Sequence, residues 1–319
     1  MAARRQTAGG LSPSAAARLR PLLDGFVAGY PLLRRRDADP VELPHRYSDP
    51  RDVEVAALLC ASLAYGRVDL FKPKLEVLLS RMGSSPAECV RSLDPAGAAG
   101  LLDGFVYRFN LPADVAVLLL GMGKALRAKG SLEALFAEGL GRTGTLHEAL
   151  DAFTRALRDV EMAPIRRAAG RERGLGHLLP SPLGPGAAKR LNLFLRWMVR
   201  GPDEVDFGIW RQISPAKLMV PLDTHLHRMA VNLGLTRRRA LDWRTAEEIT
   251  ASLRLLDAED PVKYDFALCH FGMSGSCPAR RDPHHCAGCA LLQVCRSGAR
   301  AAASSTRRGR GGATRRSPG

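Results

Sequence analysis

The sequence lacks any apolar run near the ~18 residues that a membrane-spanning helix needs, so no membrane partner is expected. Its first ten residues, Met1 to Gly10, carry two arginines but no apolar core. No secretory signal is therefore expected there, and the cytoplasm is the default compartment. Sustained period-two alternation is scarce, which argues against sheet and for an all-α class. Acid is scarce too. There are 32 Asp and Glu against 47 Lys and Arg, a net charge of +15. The pI is about 10.1. From Arg296 to Gly319 there are seven arginines and no acid, which leaves +8 on the rest of the chain. A basic body points to a polyanionic partner, DNA first, with RNA and anionic membrane as the other polyanions, or else to a solvated basic surface.

What is present fits a globular protein. Hydrophobic residues make up 46% of 319, enough for a sizeable core in one large or two small domains. Residues 1–12 read as a flexible basic arm, 13–297 as the helical region, and 298–319 as a basic, disordered tail of Ala, Ser, Gly and Arg. Within the helical region, apolar spacing predicts helices over 14–26 and 68–82, with Pro21 and Pro73 as kinks. It also predicts them over 52–65, 113–127, 131–140, 145–160, 187–200 and 243–256, and Pro261 is placed to open the one running to Gly272. Phe105 to Asn110 is a compact aromatic-basic cluster. Ser62 to Arg67 gives the second helix a polar-aromatic end. Tyr65 and Arg67 there are candidates to line a cleft and contact DNA, and Gly66 serves either that cleft or a simple helix stop.

Leu178 to Gly186 is the clearest loop, and Gly184-Pro185-Gly186 opens directly onto a helix. A glycine turn before a helix presents backbone N–H groups at the positive dipole end, which suits phosphate. Gly184, Gly186 and Arg190 are thus candidate DNA contacts. Lys189 lies in the first turn after the loop, either facing a phosphate or facing solvent.

The stretch Pro221-Leu222-Asp223-Thr224-His225 organises the chain. Leu226, Met229, Ala230 and Leu233 follow at helical spacing, and Gly234 is placed to end that helix. Asp223 is therefore at the N-cap. A capping carboxylate stays ionised through N–H bonds and the helix dipole. Such a fixed charge also stabilises a cation developing on a sugar.

Cys277, Cys286, Cys289 and Cys295 form C-x8-C-x2-C-x5-C within 19 residues. Four thiols so close in a reducing compartment point to a metal. Four thiolates suit either structural zinc or a [4Fe–4S] cluster, and His284 or His285 can replace a thiol on zinc. Cys60, Cys89 and Cys269 are expected as buried thiols.

Leu222-Asp223-Thr224-His225 with Arg228, followed downstream by the four cysteines, resembles the endonuclease III-like members of the helix-hairpin-helix DNA glycosylase superfamily. Those enzymes end in C-x6-C-x2-C-x5-C around a [4Fe–4S] cluster; here the first interval is x8. Cys60 to Arg67, Lys189 to Arg200, Pro221 to His225 and Asp260 to Leu268 look like a bacterial family related to those glycosylases. The resemblance implies a helix-hairpin-helix glycosylase-like fold of two interleaved helical lobes with a cleft between them and the cysteine loop near the C-terminus. It implies Asp223 as the catalytic carboxylate and a [4Fe–4S] cluster on the four cysteines. It also implies Arg280 and Arg281, in the loop after Cys277, as DNA contacts. Aligned on Lys and Asn192, Lys189 takes the place of the nucleophile of bifunctional members. Aligned on the glycines it falls one residue late. The implied activity is excision of a damaged or mispaired base, with possible AP lyase activity, by a monomer associated with the nucleoid. The alternative is a nucleic-acid-binding protein that keeps the fold and cluster without catalysis.

Overall fold

The central element is a helix with no solvent face. In the computed structural model, which describes residues 10–160, 172–278 and 282–297, α3 (Pro50–Leu63) buries twelve of its fourteen residues. A helix apolar on most sides belongs in a core, and α3 is ringed by α4 (Val68–Arg81), α5 (Pro86–Ser92) and α11 (Lys189–Val199). Its two buried acids are used as caps. Asp52 accepts from the Ser85 hydroxyl and Ala87 N–H at the start of α5, both at 2.8 Å. Glu54 accepts from Leu132 N–H at 2.9 Å, Glu133 N–H at 3.0 Å and the Trp210 indole at 2.6 Å. Each carboxylate thus meets the positive end of a neighbouring helix.

The described residues form fifteen α-helices and four short 3-10 turns, with one isolated bridge, Tyr107 to Asn110, and no strand. The all-α expectation holds. α1 (Pro13–Ala28) and α2 (Leu32–Asp37) precede α3. α6 (Pro95–Leu101) and the long α7 (Pro112–Lys129) follow α5. α8 (Leu132–Thr143) and α9 (Leu146–Arg158) pack on each other and on α7. α10 (Glu172–Leu178) leads through the glycine loop to α11. Then come α12 (Thr224–Leu233), α13 (Trp243–Arg254), α14 (Asp265–Met273) and α15 (Pro283–Ala287). None of the described helices is long and apolar enough to cross a membrane.

The two ends of the described chain meet. Leu11 N–H donates to the Ser252 hydroxyl at 3.0 Å, the Tyr264 hydroxyl donates to Asp24 at 2.9 Å, and the rings of Phe26 and Phe271 stack edge-on at 5.2 Å. Leu11 is buried, and Ser12 caps α1. Leu11 and Ser12, expected in an arm over residues 1–12, are therefore part of the folded body: a leucine with a core pocket and a serine with a capping role are not free chain. Two further expectations change. α1 and α4 run on through Pro21 and Pro73 as continuous helices. Pro261 opens only a turn, and α14 begins at Asp265.

Candidate functional site

Four segments converge beside α11. Its first residue, Lys189, follows Ala188, a left-handed residue at φ 48° that turns the loop sharply into the helix without a side-chain cap. Asn192, one turn on and buried, donates to the Ala187 carbonyl at 3.1 Å and fixes that turn. Lys189 Nζ then lies 3.2 Å from Asp223 Oδ2. Asp223 is the N-cap of α12: its Oδ1 accepts from His225 N–H and Leu226 N–H, both at 2.9 Å. Both sequence readings of Asp223 meet in one side chain, one oxygen capping and the other carrying a charge pair. Gly234, at φ 76°, ends the helix as expected.

Electrostatics hold this pair charged. Burial raises the Asp223 carboxyl, but Lys189 and the Leu226 N–H outweigh it and leave it below the usual carboxylate range. Burial lowers the Lys189 ammonium, but Asp223 outweighs it and leaves it above the usual lysine range. Lys189 therefore rests as an ammonium. Its side chain is 34% exposed and that of Asp223 15%, so the pair is open on one side.

A cavity of about 90 Å³ adjoins Lys189, walled by Ala64 and Gly66 at the end of α3, by Leu193 and Arg196 of α11, and by Asp265 and Cys269 of α14. Asp265 and Cys269 are the residues that sequence reasoning did not place here. The Cys269 thiol is 3.6 Å from Asp223 Oδ2, and burial with Asp223 and Asp265 nearby pushes its pKa well up, so it stays a thiol. Asp265 is buried, and its pKa is raised to about 6 by burial against the pull of Arg196. Arg196, 1% exposed, bridges Asp265 at 2.7 Å and Asp206 at 3.0 Å. Arg200 continues the network to Asp206 at 2.6 Å and Asp260 at 2.8 Å. The network locks α11 to the start of α14 and so sets the cavity wall. The available signal was the i, i+4 pair Asp265 and Cys269 in an otherwise apolar helix.

The remaining candidates are dispersed. Tyr65 sits at the hub of an aromatic cluster, with Phe109 stacked at 5.4 Å, His177 edge-on at 4.4 Å and the Arg190 guanidinium 5.2 Å from its ring centre. Its hydroxyl turns inward to Asn110 Oδ1 at 2.5 Å. Arg190 directs its donors to the carbonyls of Ser62 and His177, so it holds α10 and α11 to the end of α3 rather than facing solvent. Arg67 is exposed and paired with Asp69 at 2.6 Å. Gly184 and Gly186 lie in an exposed turn, and the Gly184 N–H is bonded to the Ser181 carbonyl at 3.0 Å. Arg280 and Arg281 lie outside the described residues.

Cys277, Cys286, Cys289 and Cys295 are all half-buried free thiols after α14. Burial raises the Cys277 thiol, and Cys289 and Cys295 are close enough to act on it. The Asn232 amide donates to Cys277 Sγ at 3.7 Å. The donor chemistry fits a four-thiolate metal. Among the described residues no three His, Cys, Asp or Glu side chains are gathered as a ligand set. Cys60 is buried as expected; Cys89 and Cys269 are only partly covered.

Fold and site together define an all-helical protein with a half-open lysine–aspartate pair at a helix N-terminus. Residues 39–274 match a family described as "Protein of unknown function (DUF2400)", and the chain belongs to that family. No curated protein matches the chain.

Proposed function

We propose that this protein is a DNA glycosylase of the helix-hairpin-helix kind, excising a damaged or mispaired base at Lys189 and Asp223. The observation that carries the reading is the 3.2 Å contact between an amine and a capped carboxylate beside a cavity. Chain order supports it: α10, the glycine loop and α11 follow the order the resemblance implies for the hairpin and its lysine, Asp223 caps the next long helix, and the cysteines follow α14. The two lobes and the cleft between them belong to the same proposal.

A nucleotide turned out of the duplex would place its sugar against Lys189. The amine attacks the anomeric carbon once its proton has passed to water, which leaves Asp223 ionised. The bond from that carbon to the base breaks, and the base leaves with the bonding pair and gains a proton. Asp223, ionised in the resting state, faces the positive charge that develops on the sugar. The displacement leaves an aminal, with the lysine nitrogen and the ring oxygen on the same carbon; the bond to the ring oxygen then breaks, that oxygen takes the pair and a proton, and the resulting iminium permits strand cleavage. If Lys189 only grips a phosphate, Asp223 activates a water and base loss stops at the abasic site.

The four cysteines would hold a [4Fe–4S] cluster, with structural zinc as the alternative. That group supplies a rigid anchor for the loop and takes no part in the chemistry above. DNA is the proposed partner, RNA the competing polyanion, and the protein is proposed to act as a cytoplasmic, nucleoid-associated monomer. A second reading, binding without catalysis, is favoured by one feature: Asp223 already has a structural role as the N-cap of α12. Incubation with duplexes bearing a panel of lesions, with and without alkali, separates the two. Base loss supports the enzyme; tight binding without base loss supports the binding protein.

A further inference from the structure

The site lies at the N-terminus of α12, and a second feature lies toward its other end. Arg228 on α12, Arg237, Arg238 and Arg239 in the segment that follows it, and Arg296 just after the last cysteine line one open groove of about 880 Å³. Among the described residues no acidic side chain lines it. Arg238 is ion-paired with Asp242 at 2.8 Å, and none of the other four has an ion pair among the described residues. Arg237 and Arg239 are exposed. Arg296 packs over a glycine: a Cβ on Gly234 would fall 2.0 Å from the Arg296 guanidinium carbon, so this position both ends α12 and makes room for the cation.

Three separate stretches of chain therefore bring like charges together, and their mutual repulsion is relieved by an anion. α12 has ten residues, so its far end is roughly 15 Å from Asp223, or about four base-pair steps along a duplex. Ser297 also lines the groove, and six more arginines follow it in the sequence.

We infer that this groove seats the phosphate backbone of the duplex flanking the nucleotide held at Lys189 and Asp223, with Arg237 and Arg239 as its phosphate contacts. The inference rests on the DNA reading above and adds to it a surface remote from the hairpin. Contacts of this kind set register and affinity but read no sequence.

The test is fluorescence anisotropy of the full chain with a labelled 20-base-pair DNA duplex and an RNA duplex of the same sequence, from 50 to 200 mM salt. Each phosphate left unneutralised makes the slope of log K against log salt shallower by about 0.9. Arg237→Gln/Arg239→Gln should therefore flatten the slope by about 1.8, at an unchanged melting temperature because both side chains are exposed. A control, Arg51→Gln/Arg142→Gln, removes two exposed charges elsewhere and should leave the slope unaltered. If wild type and the groove variant bind DNA with the same slope, the groove assignment fails while the DNA reading stands. Equal flattening by groove and control variants also overturns it, since the charge is then diffuse. Failure of wild type to bind DNA, or binding of RNA alone, overturns both.

Discussion

Asp223→Asn separates a helix cap from a catalytic charge. Asparagine keeps an oxygen for the His225 and Leu226 N–H groups, so most of the cap survives; a cap removed outright costs only about 1 kcal/mol. The ion pair to Lys189 disappears, but with the lysine side chain 34% exposed that interaction is discounted to about 1 kcal/mol or less. Total destabilisation is thus on the order of 1–2 kcal/mol, a fall of roughly 2–5 °C in melting temperature for a chain this size. Loss of a preorganised charge facing a developing cation slows the reaction by ~10²-fold or more, which is about 2.7 kcal/mol of barrier. The first readout is single-turnover base release from whichever lesion duplex the wild type cleaves, beside a thermal melt. The second needs no substrate: the carbon-13 shift of dimethylated Lys189 followed through its titration. In wild type the pair holds Lys189 above its ordinary value, so its stabilisation is present below the unfolded lysine pKa and is lost as pH rises through the folded one. For Asp223, held low, it is present above the ordinary carboxylate pKa and lost as pH falls through the depressed one. In the variant the Asp223 contribution goes while burial still opposes the pull of Asp265 and Cys269, and Lys189 should titrate lower than in wild type. Undiminished base release would refute the catalytic assignment and leave Asp223 a cap. An unmoved Lys189 titration would refute the pair itself.

Four other outcomes are expected. Borohydride should trap a protein–DNA adduct with wild type and none with Lys189→Gln; excision that persists in the variant without an adduct makes Lys189 a phosphate contact. Protein purified without air should be brown, absorb broadly in the blue and carry about four irons per chain; a colourless protein with one zinc contradicts the cluster. Arg196→Met strands Asp265 in the core, leaves Asp206 to Arg200 alone and should cost about 3–5 kcal/mol, seen as a melting temperature lower by on the order of 10 °C; an unchanged melt means the bridge adds nothing. Deleting residues 298–319 should flatten the salt dependence of DNA binding without abolishing binding; complete loss would place the whole interaction in the tail.

Local chemistry was readable and distant pairing was not. Asp223 and Gly234 bracket α12 because a cap residue and a left-handed glycine act within one turn, and apolar spacing alone marked α3 and α13. The length of α3's burial was legible in its unbroken run of small and apolar residues; the capping of α5 and α8 by Asp52 and Glu54 was not, since those partners lie 33 to 79 residues away. Arg190 looked like a phosphate contact because it follows a glycine loop. In the fold its donors meet carbonyls of α3 and α10. Arg196 and Asp265 are 69 residues apart, and no periodicity links them. Leu11 was assigned to a basic arm by its neighbours' composition, yet a single leucine suffices to dock a terminus when a serine hydroxyl waits for its N–H.

Asp223 is a helix cap as well as the proposed catalytic charge, and this bears on how related sequences are to be compared. Active-site residues usually sacrifice stability, so a lineage that abandons the chemistry gains by replacing them. Here the carboxylate that would serve the reaction also starts α12, and exchanging it brings no thermodynamic reward. Folding alone therefore favours a capping residue at this position, whether or not the proposed chemistry is present. The structural duty of Lys189 is smaller: it caps nothing, its pair with Asp223 is worth about 1 kcal/mol or less, and its side chain is one-third open to solvent. Among relatives of this chain, the identity of the residue aligned with Lys189 is the sensitive witness to whether the chemistry persists.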